Sequence, residues 1–156
     1  MSGIFIASER GRPMRPCDRA TAVAGRGLHG DRYWAGVGTF SGRFEVRAGA
    51  RELSLIDTAA LTECNRRLAA AGHAGVAAAA LRRNLLVDGL ALSELVGQRL
   101  VAAGVQIEVL TGCPPCGYLS RLLGADMRRA LYRIGGVRAR IVRGGELRVG
   151  ATVAAG

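Results

Sequence analysis

The sequence predicts a mixed α/β fold, mainly β: a small closed β-barrel with a few helices covering its ends. Three observations predict it. Glycine is frequent and scattered, 23 of 156 residues, with short apolar runs in between, the layout of many short strands joined by tight turns. Several of those runs alternate small or apolar residues with polar ones, the period of a half-buried strand. One stretch instead repeats its apolar residues at helical spacing. The chain is long enough for one domain with a real core and too short for two ordinary ones. With no linker rich in Pro, Gly or Ser to divide it, residues 1–156 read as a single domain.

In chain order, Met1–Ala7 reads as a first strand; it lacks the basic segment and long apolar core of a signal peptide. Leu53-Ser54-Leu55-Ile56 is a strand that leads straight into a helix over Thr58–Ala70. There Leu61, Cys64 and Leu68 share one face, and Asp57 or Thr58 caps the N-terminus. Asn84–Val87 is a further strand. Arg99–Val101 and Val105–Leu110 flank Ala102-Ala103-Gly104, a hairpin signal. Tyr118–Leu123 and part of Met127–Tyr132 are helical, with Gly124 as the break. Val137–Ile141 alternates with arginine, and Gly144-Gly145 turns the chain into Glu146–Val149. These strands read as an antiparallel sheet that curls into a barrel, and no βαβ unit is read before the cysteine turn described below.

The formal net charge is +10, and all 22 basic residues are arginine. GC-rich codon usage accounts for the preference over lysine. The physical consequence stands regardless: guanidinium forks pair with phosphate in bidentate fashion, so an anionic ligand or partner is expected. No apolar run reaches the length of a membrane span. Four unevenly spaced cysteines, Cys17, Cys64, Cys113 and Cys116, do not make a disulfide scaffold, and a cytoplasmic, reducing location is the simpler expectation.

Chemistry concentrates at Cys113-Pro114-Pro115-Cys116, where two prolines stiffen a turn bearing two thiols. A structural zinc site needs four ligands, and there is no second such pair. A thioredoxin-like centre places a cis-proline later in the chain, and no proline follows Cys116. A pair of small buried thiols, a sulfur carrier and a ligand for a soft metal remain. Gly25–Gly30 fits G-x-G-x-x-G, but Asp31-Arg32-Tyr33-Trp34 after it is no helix start, which argues against a dinucleotide fold. Those glycines still allow a backbone that presents N–H groups and Arg32 to an anion. Arg82-Arg83-Asn84 offers two guanidinium groups and an amide at a strand entrance, and reads equally as a solvated edge. Cys64 reads as a core thiol, His73 as a surface residue, and Cys17 has no assigned role.

Taken in order, Gly27-Leu28-His29-Gly30-Asp31-Arg32-Tyr33-Trp34, Leu53–Asp57 with its helix, Arg82–Gly89, Leu95-Val96-Gly97, the strand into Cys113–Cys116 and Gly144–Gly150 resemble a MOSC domain, the C-terminal domain of molybdenum cofactor sulfurases. The resemblance runs over roughly residues 1–153. It implies a barrel like that of the pyruvate-kinase barrel domain. It also implies a role with the molybdenum cofactor, a molybdopterin bearing a phosphate, or with sulfur delivery as a persulfide. In amidoxime-reducing relatives the second cysteine of the turn ligates molybdenum, which falls on Cys116, with Cys113 in the less essential place. The family's cofactor contacts fall on Arg32, Arg82 and Asn84.

The chain also departs from the family's larger members. It resembles a bare domain, without their additional N-terminal barrel segment or the pyridoxal-phosphate domain of the sulfurases, so a desulfurase donating sulfur or a reductase donating electrons is an expected partner. Pro114, two before Cys116, has no N–H to offer. The first expectation is therefore molybdopterin binding or sulfur carriage. The second is a molybdenum-dependent reductase component acting on N-hydroxylated compounds. The third is a basic nucleic-acid-binding barrel, disfavoured because seven aromatic residues form no visible stacking motif.

Overall fold

The computed structural model describes residues 1–45 and 47–156. In chain order the elements are β1 (Gly3–Ile6), β2 (Arg15–Pro16), β3 (Arg19–Val23), β4 (Gly27–Leu28), β5 (Leu53–Asp57), α1 (Thr58–Ala70), β6 (Leu85–Val87), β7 (Arg99–Ala102), β8 (Val105–Gly112), α2 (Gly117–Leu123), α3 (Met127–Ala130), β9 (Val137–Arg143), β10 (Gly145–Arg148) and β11 (Val153–Ala155). Single turns of 3-10 helix lie at Ala78–Leu81 and Leu92–Leu95. The fold is thus mixed and mainly β, with few helices. Among the described residues no helix is long and apolar enough to cross a membrane.

Two sheets form. One has eight strands in the order β11-β7-β8-β9-β5-β6-β1-β2, and the other has three, β10-β3-β4. The closed barrel expected from the sequence is not drawn by these ladders: among the described residues the larger sheet has open ends at β11 and β2. The chain passes from one sheet to the other at Gly144, between β9 and β10. A Cβ there would stand 2.6 Å from the Ala22 carbonyl oxygen, so only glycine allows the two sheets to approach so closely.

The expectation of an antiparallel sheet is corrected at one place. β5 and β6 pair in parallel, Leu55 opposite Leu85 and Ile56 opposite Leu86. Parallel neighbours need a crossover, and α1 supplies it, so a βαβ unit precedes the cysteine turn after all. Alternation explains why it is stable. Leu53, Leu55, Leu85 and Val87 face the core between the two sheets, with Leu28, Ile107 and Leu147. Ile56 and Leu86 face the other way, into a second core with Cys64 and Leu68 of α1, Leu119 of α2 and Met127 of α3. The helices therefore cover one face of the large sheet.

α1 keeps its expected bounds. Asp57 Oδ1 accepts from the Ala60 N–H at 2.7 Å, which satisfies one of the N–H groups a helix start leaves free. Asp57→Ala is expected to lower the unfolding free energy by about 1 kcal/mol, measured by urea denaturation. The β7–β8 hairpin turns through Ala103 (φ 49°) and Gly104 (φ 82°), the two positive φ values of a type I′ turn. β8 pairs with β9, and its register shifts between Val109 and Thr111. The bulge bends the end of β8 and aims the chain into the cysteine turn.

Candidate functional site

The turn Cys113–Cys116 leaves β8 and is fastened on both sides. The Cys113 N–H donates to the Gly136 carbonyl at 2.8 Å. Its own carbonyl accepts from Arg83 Nη2 at 3.0 Å. Arg83 is buried, and it also donates to the carbonyls of Gly135, at 2.8 Å, and Leu81, at 3.0 Å. One planar guanidinium thus ties two other backbone segments to the thiol turn, a geometry that suits arginine and not lysine. Gly135 lies so close that a Cβ would stand 2.5 Å from the Cys113 carbonyl oxygen. The two thiols differ in access: Cys113 is 5% exposed, and Cys116, at the start of α2, is half-buried. Cys116 is the one a partner molecule can reach.

Both cysteines line a cavity of about 220 Å³. Arg32 and Arg82 line it too, although they stand far apart in sequence from each other and from the cysteines. Asp31, itself buried, places Arg32. Its carboxylate accepts from Arg32 Nη1 at 3.0 Å and from the backbone N–H groups of Ala7 and Tyr33. Arg32 Nη1 also points at Met14 Sδ, 2.9 Å away, and Nη2 reaches the Arg82 carbonyl at 3.5 Å. Arg82 holds a left-handed backbone, φ 61°, at the end of the Ala78–Leu81 turn, where it donates to the Arg12 carbonyl through Nη1 at 2.7 Å. Non-glycine residues in that region carry strain of order 1–3 kcal/mol, and such strain tends to cluster at functional sites. Burial, and then the charge of Arg32, pull the Arg82 guanidinium below its ordinary range.

The electrostatics of this wall are one-sided. Arg32, Arg82, Arg83 and Arg138 all contribute to it, against the single buried carboxylate of Asp31. Arg32 Nε and Arg82 Nη2 are buried and have no hydrogen-bond partner among the described residues. A buried donor left without an acceptor costs about 1–3 kcal/mol. An anion in the cavity would offset the repulsion between the two guanidinium groups. Tyr33, Phe40 and Tyr118 also line the cavity.

The other candidates fall elsewhere. Asn84 is buried but is not on the cavity wall. Its Oδ1 accepts from Ser54 N–H and Oγ, and its Nδ2 donates to the Phe5 carbonyl, clamping β1 to β5. Cys64 is sealed in the core beneath α1, and burial pushes its thiol up. Cys17 packs against the core between the sheets, and burial followed by the charge of Asp18 raises its thiol as well. All four cysteines are free thiols. Among the described residues, no group of three His, Cys, Asp or Glu side chains is placed to hold a metal ion. The G-x-G-x-x-G glycines, Gly25, Gly27 and Gly30, all have positive φ, but the His29 N–H between them is taken by the Thr21 carbonyl. Two residues take supporting roles in the site that their sequence context does not specify, Asp31 and Arg83. Both stand next to candidates, and only their burial distinguishes them from surface charges.

Residues 45–154 match the MOSC domain model. This chain belongs to the MOSC domain family. Membership ties it to molybdenum-cofactor-related chemistry in general. Three solved structures share the fold of this MOSC domain. The YuaD protein from Bacillus subtilis has a TM-score of 0.78 at 20% identity, covering 97% of this chain and 92% of that one. YiiM from Geobacillus stearothermophilus has a TM-score of 0.71 at 15% identity, covering 100% and 74%. YiiM from Escherichia coli has a TM-score of 0.67 at 19% identity, covering 100% and 70%. No curated protein matches the chain.

The cavity fits what the family implies. Molybdopterin carries an anionic phosphate and a flat ring system, and the metal it holds favours thiolate. The wall offers guanidinium groups, aromatic residues and a half-buried thiol.

Proposed function

We propose that this MOSC domain, residues 1–156 acting as one unit, binds the molybdenum cofactor in the cavity between Arg32, Arg82 and the cysteine turn, with Cys116 as its reactive sulfur. The observation that carries the reading is the convergence of Arg32 and Arg82, each with a buried nitrogen that has no acceptor among the described residues, on the cavity that Cys113 and Cys116 also line. Arg32 and Arg82 hold the anionic end, and Tyr33, Phe40 and Tyr118 flank the ring. Asp31 and Arg83 keep this apparatus in position. When bound, the cofactor supplies a metal centre for sulfur or oxygen exchange, to which Cys116 is the protein's thiolate ligand.

The same thiolate suits sulfur carriage. A persulfide donor presents its outer sulfur to Cys116 Sγ. A new S–S bond forms there as the bond between the two donor sulfurs breaks, and the donor leaves as its thiolate. Cys116 then carries the persulfide. Cys113, more deeply buried, shapes the turn and is the lesser participant. A sulfur-donating desulfurase is the matching partner. A reductase built on this cavity would need an electron donor as well, and turnover of an N-hydroxylated substrate with a reduced dye separates the two activities.

The test removes one guanidinium, together with its hydrogen bond to the Arg12 carbonyl, at a position whose φ suits glycine. Arg82→Gly suits the left-handed φ at that position and deletes only the side chain. It is expected to weaken molybdopterin binding by about 10–100-fold, the effect of losing one charge-assisted hydrogen bond. Arg32→Met is expected to act in the same direction. Fluorescence titration with molybdopterin measures both, and wild-type affinity in both variants would refute the reading.

A further inference from the structure

Beyond the cavity, two more arginines converge on the neighbour of Cys116. A Cβ built on Gly117 would stand 3.5 Å from Arg128 Nη2 and 3.6 Å from Arg121 Nη1. Arg121 comes from the same face of α2, one turn on, and Arg128 from α3, which packs against α2. Gly117 does not have a left-handed φ, so the backbone does not require glycine there. What its missing side chain leaves is space between two guanidinium groups.

No ion pair among the described residues uses Arg121 or Arg128. Asp126, two residues before Arg128, caps α3 through the Arg129 N–H. Both arginines are exposed, and neither lines the cavity of Arg32 and Arg82. Two unpaired like charges held over one open point repel each other unless an anion sits between them.

We propose that Arg121 and Arg128 form an anion-binding subsite beside Cys116, seating the carboxylate or phosphate of the small molecule that exchanges with that sulfur. The inference rests on the reading of Cys116 as the reactive sulfur, and it assigns the substrate class: a small compound with an anionic group close to its reacting atom.

The experiment compares alkylation of Cys116 by iodoacetate, which is anionic, and iodoacetamide, which is neutral. In each case the thiolate attacks carbon, a C–S bond forms as C–I breaks, and iodide leaves. Fragment-ion mass spectrometry assigns the label to Cys116. The iodoacetate-to-iodoacetamide rate ratio is expected to fall about tenfold in the Arg121→Ala/Arg128→Ala double variant. Dividing by the iodoacetamide rate removes any change in the thiolate fraction of Cys116, and an unchanged urea midpoint shows that the fold is intact. Added salt should erase the wild-type preference, and Arg129→Ala should keep it. Competition identifies the group: inorganic phosphate blocking iodoacetate at concentrations where acetate does not indicates a phosphate ligand, and equal blocking a carboxylate. An unchanged ratio in the double variant overturns the proposal, as does a Cys116 that reacts with neither reagent. Loss of pterin retention in the double variant also overturns it, because the pair would then hold the cofactor itself. Full pterin retention and persulfide loading in Cys116→Ser, with the alkylation preference in wild type intact, would sink the functional reading while leaving the subsite standing.

Discussion

Cys116→Ser is expected to abolish persulfide loading, whereas Cys64→Ser leaves it at the wild-type level. A serine hydroxyl keeps the size of the thiol but is not a nucleophile toward sulfane sulfur without a general base, and the cavity wall places arginines there instead. Cys64 has the same chemistry in a different setting. It is fully buried among Ile56, Leu68 and Leu81, and burial holds it as the neutral thiol. Cys64→Ser buries a hydroxyl and costs about 1–3 kcal/mol of stability, with no effect on loading. Mass spectrometry of both variants after incubation with a persulfide donor reads the result as the mass of one added sulfur. Equal loading in the two variants would contradict the assignment.

The second large effect is expected at a residue that touches no ligand in the proposed reading. Arg83→Leu removes a buried guanidinium and strands the carbonyls of Leu81, Cys113 and Gly135. Each stranded acceptor costs about 1–3 kcal/mol. Partial relaxation and water entry limit the total to about 3–5 kcal/mol, read as a lower urea midpoint. Arg83→Lys keeps the charge but not the fork, and it is expected to lose about 1–3 kcal/mol. In folded Arg83→Lys protein the loosened turn lowers the persulfide loading rate of Cys116. Wild-type stability in both variants would mean that the three carbonyls find other donors.

Much of this architecture could be read from the chain because local signals agree with tertiary packing. α1 has an amphipathic face and a capping aspartate, and the structure keeps both. The β7–β8 hairpin has its turn residues in place, and the prolines of Cys113–Cys116 mark the turn that both thiols share. The misreadings have a common cause. β2 and β4 are two-residue strands, too short to show a period, although each pairs with the strand just before it in the chain. The parallel pairing of β5 and β6 depends on which face of each strand α1 covers, and short apolar runs do not encode it. Arg82, Arg83 and Asn84 look alike as a polar run at a strand entrance. The fold gives them three tasks: one side chain lines the cavity with a donor to spare, one binds three carbonyls, and one clamps neighbouring strands. Asp31 likewise reads as a surface charge until its burial beside Arg32 is seen. Arginine burial has no signature in a sequence whose basic residues are all arginine.

The proposed role of this domain requires that the arginine-lined cavity beside Cys116 accept an anionic pterin. Reconstitution of the purified chain with molybdopterin, followed by gel filtration and fluorescence of the oxidised pterin, measures this directly. Stoichiometric pterin eluting with wild-type protein, and markedly less with Arg82→Gly, is the expected result. A folded wild-type protein that emerges without pterin would contradict it.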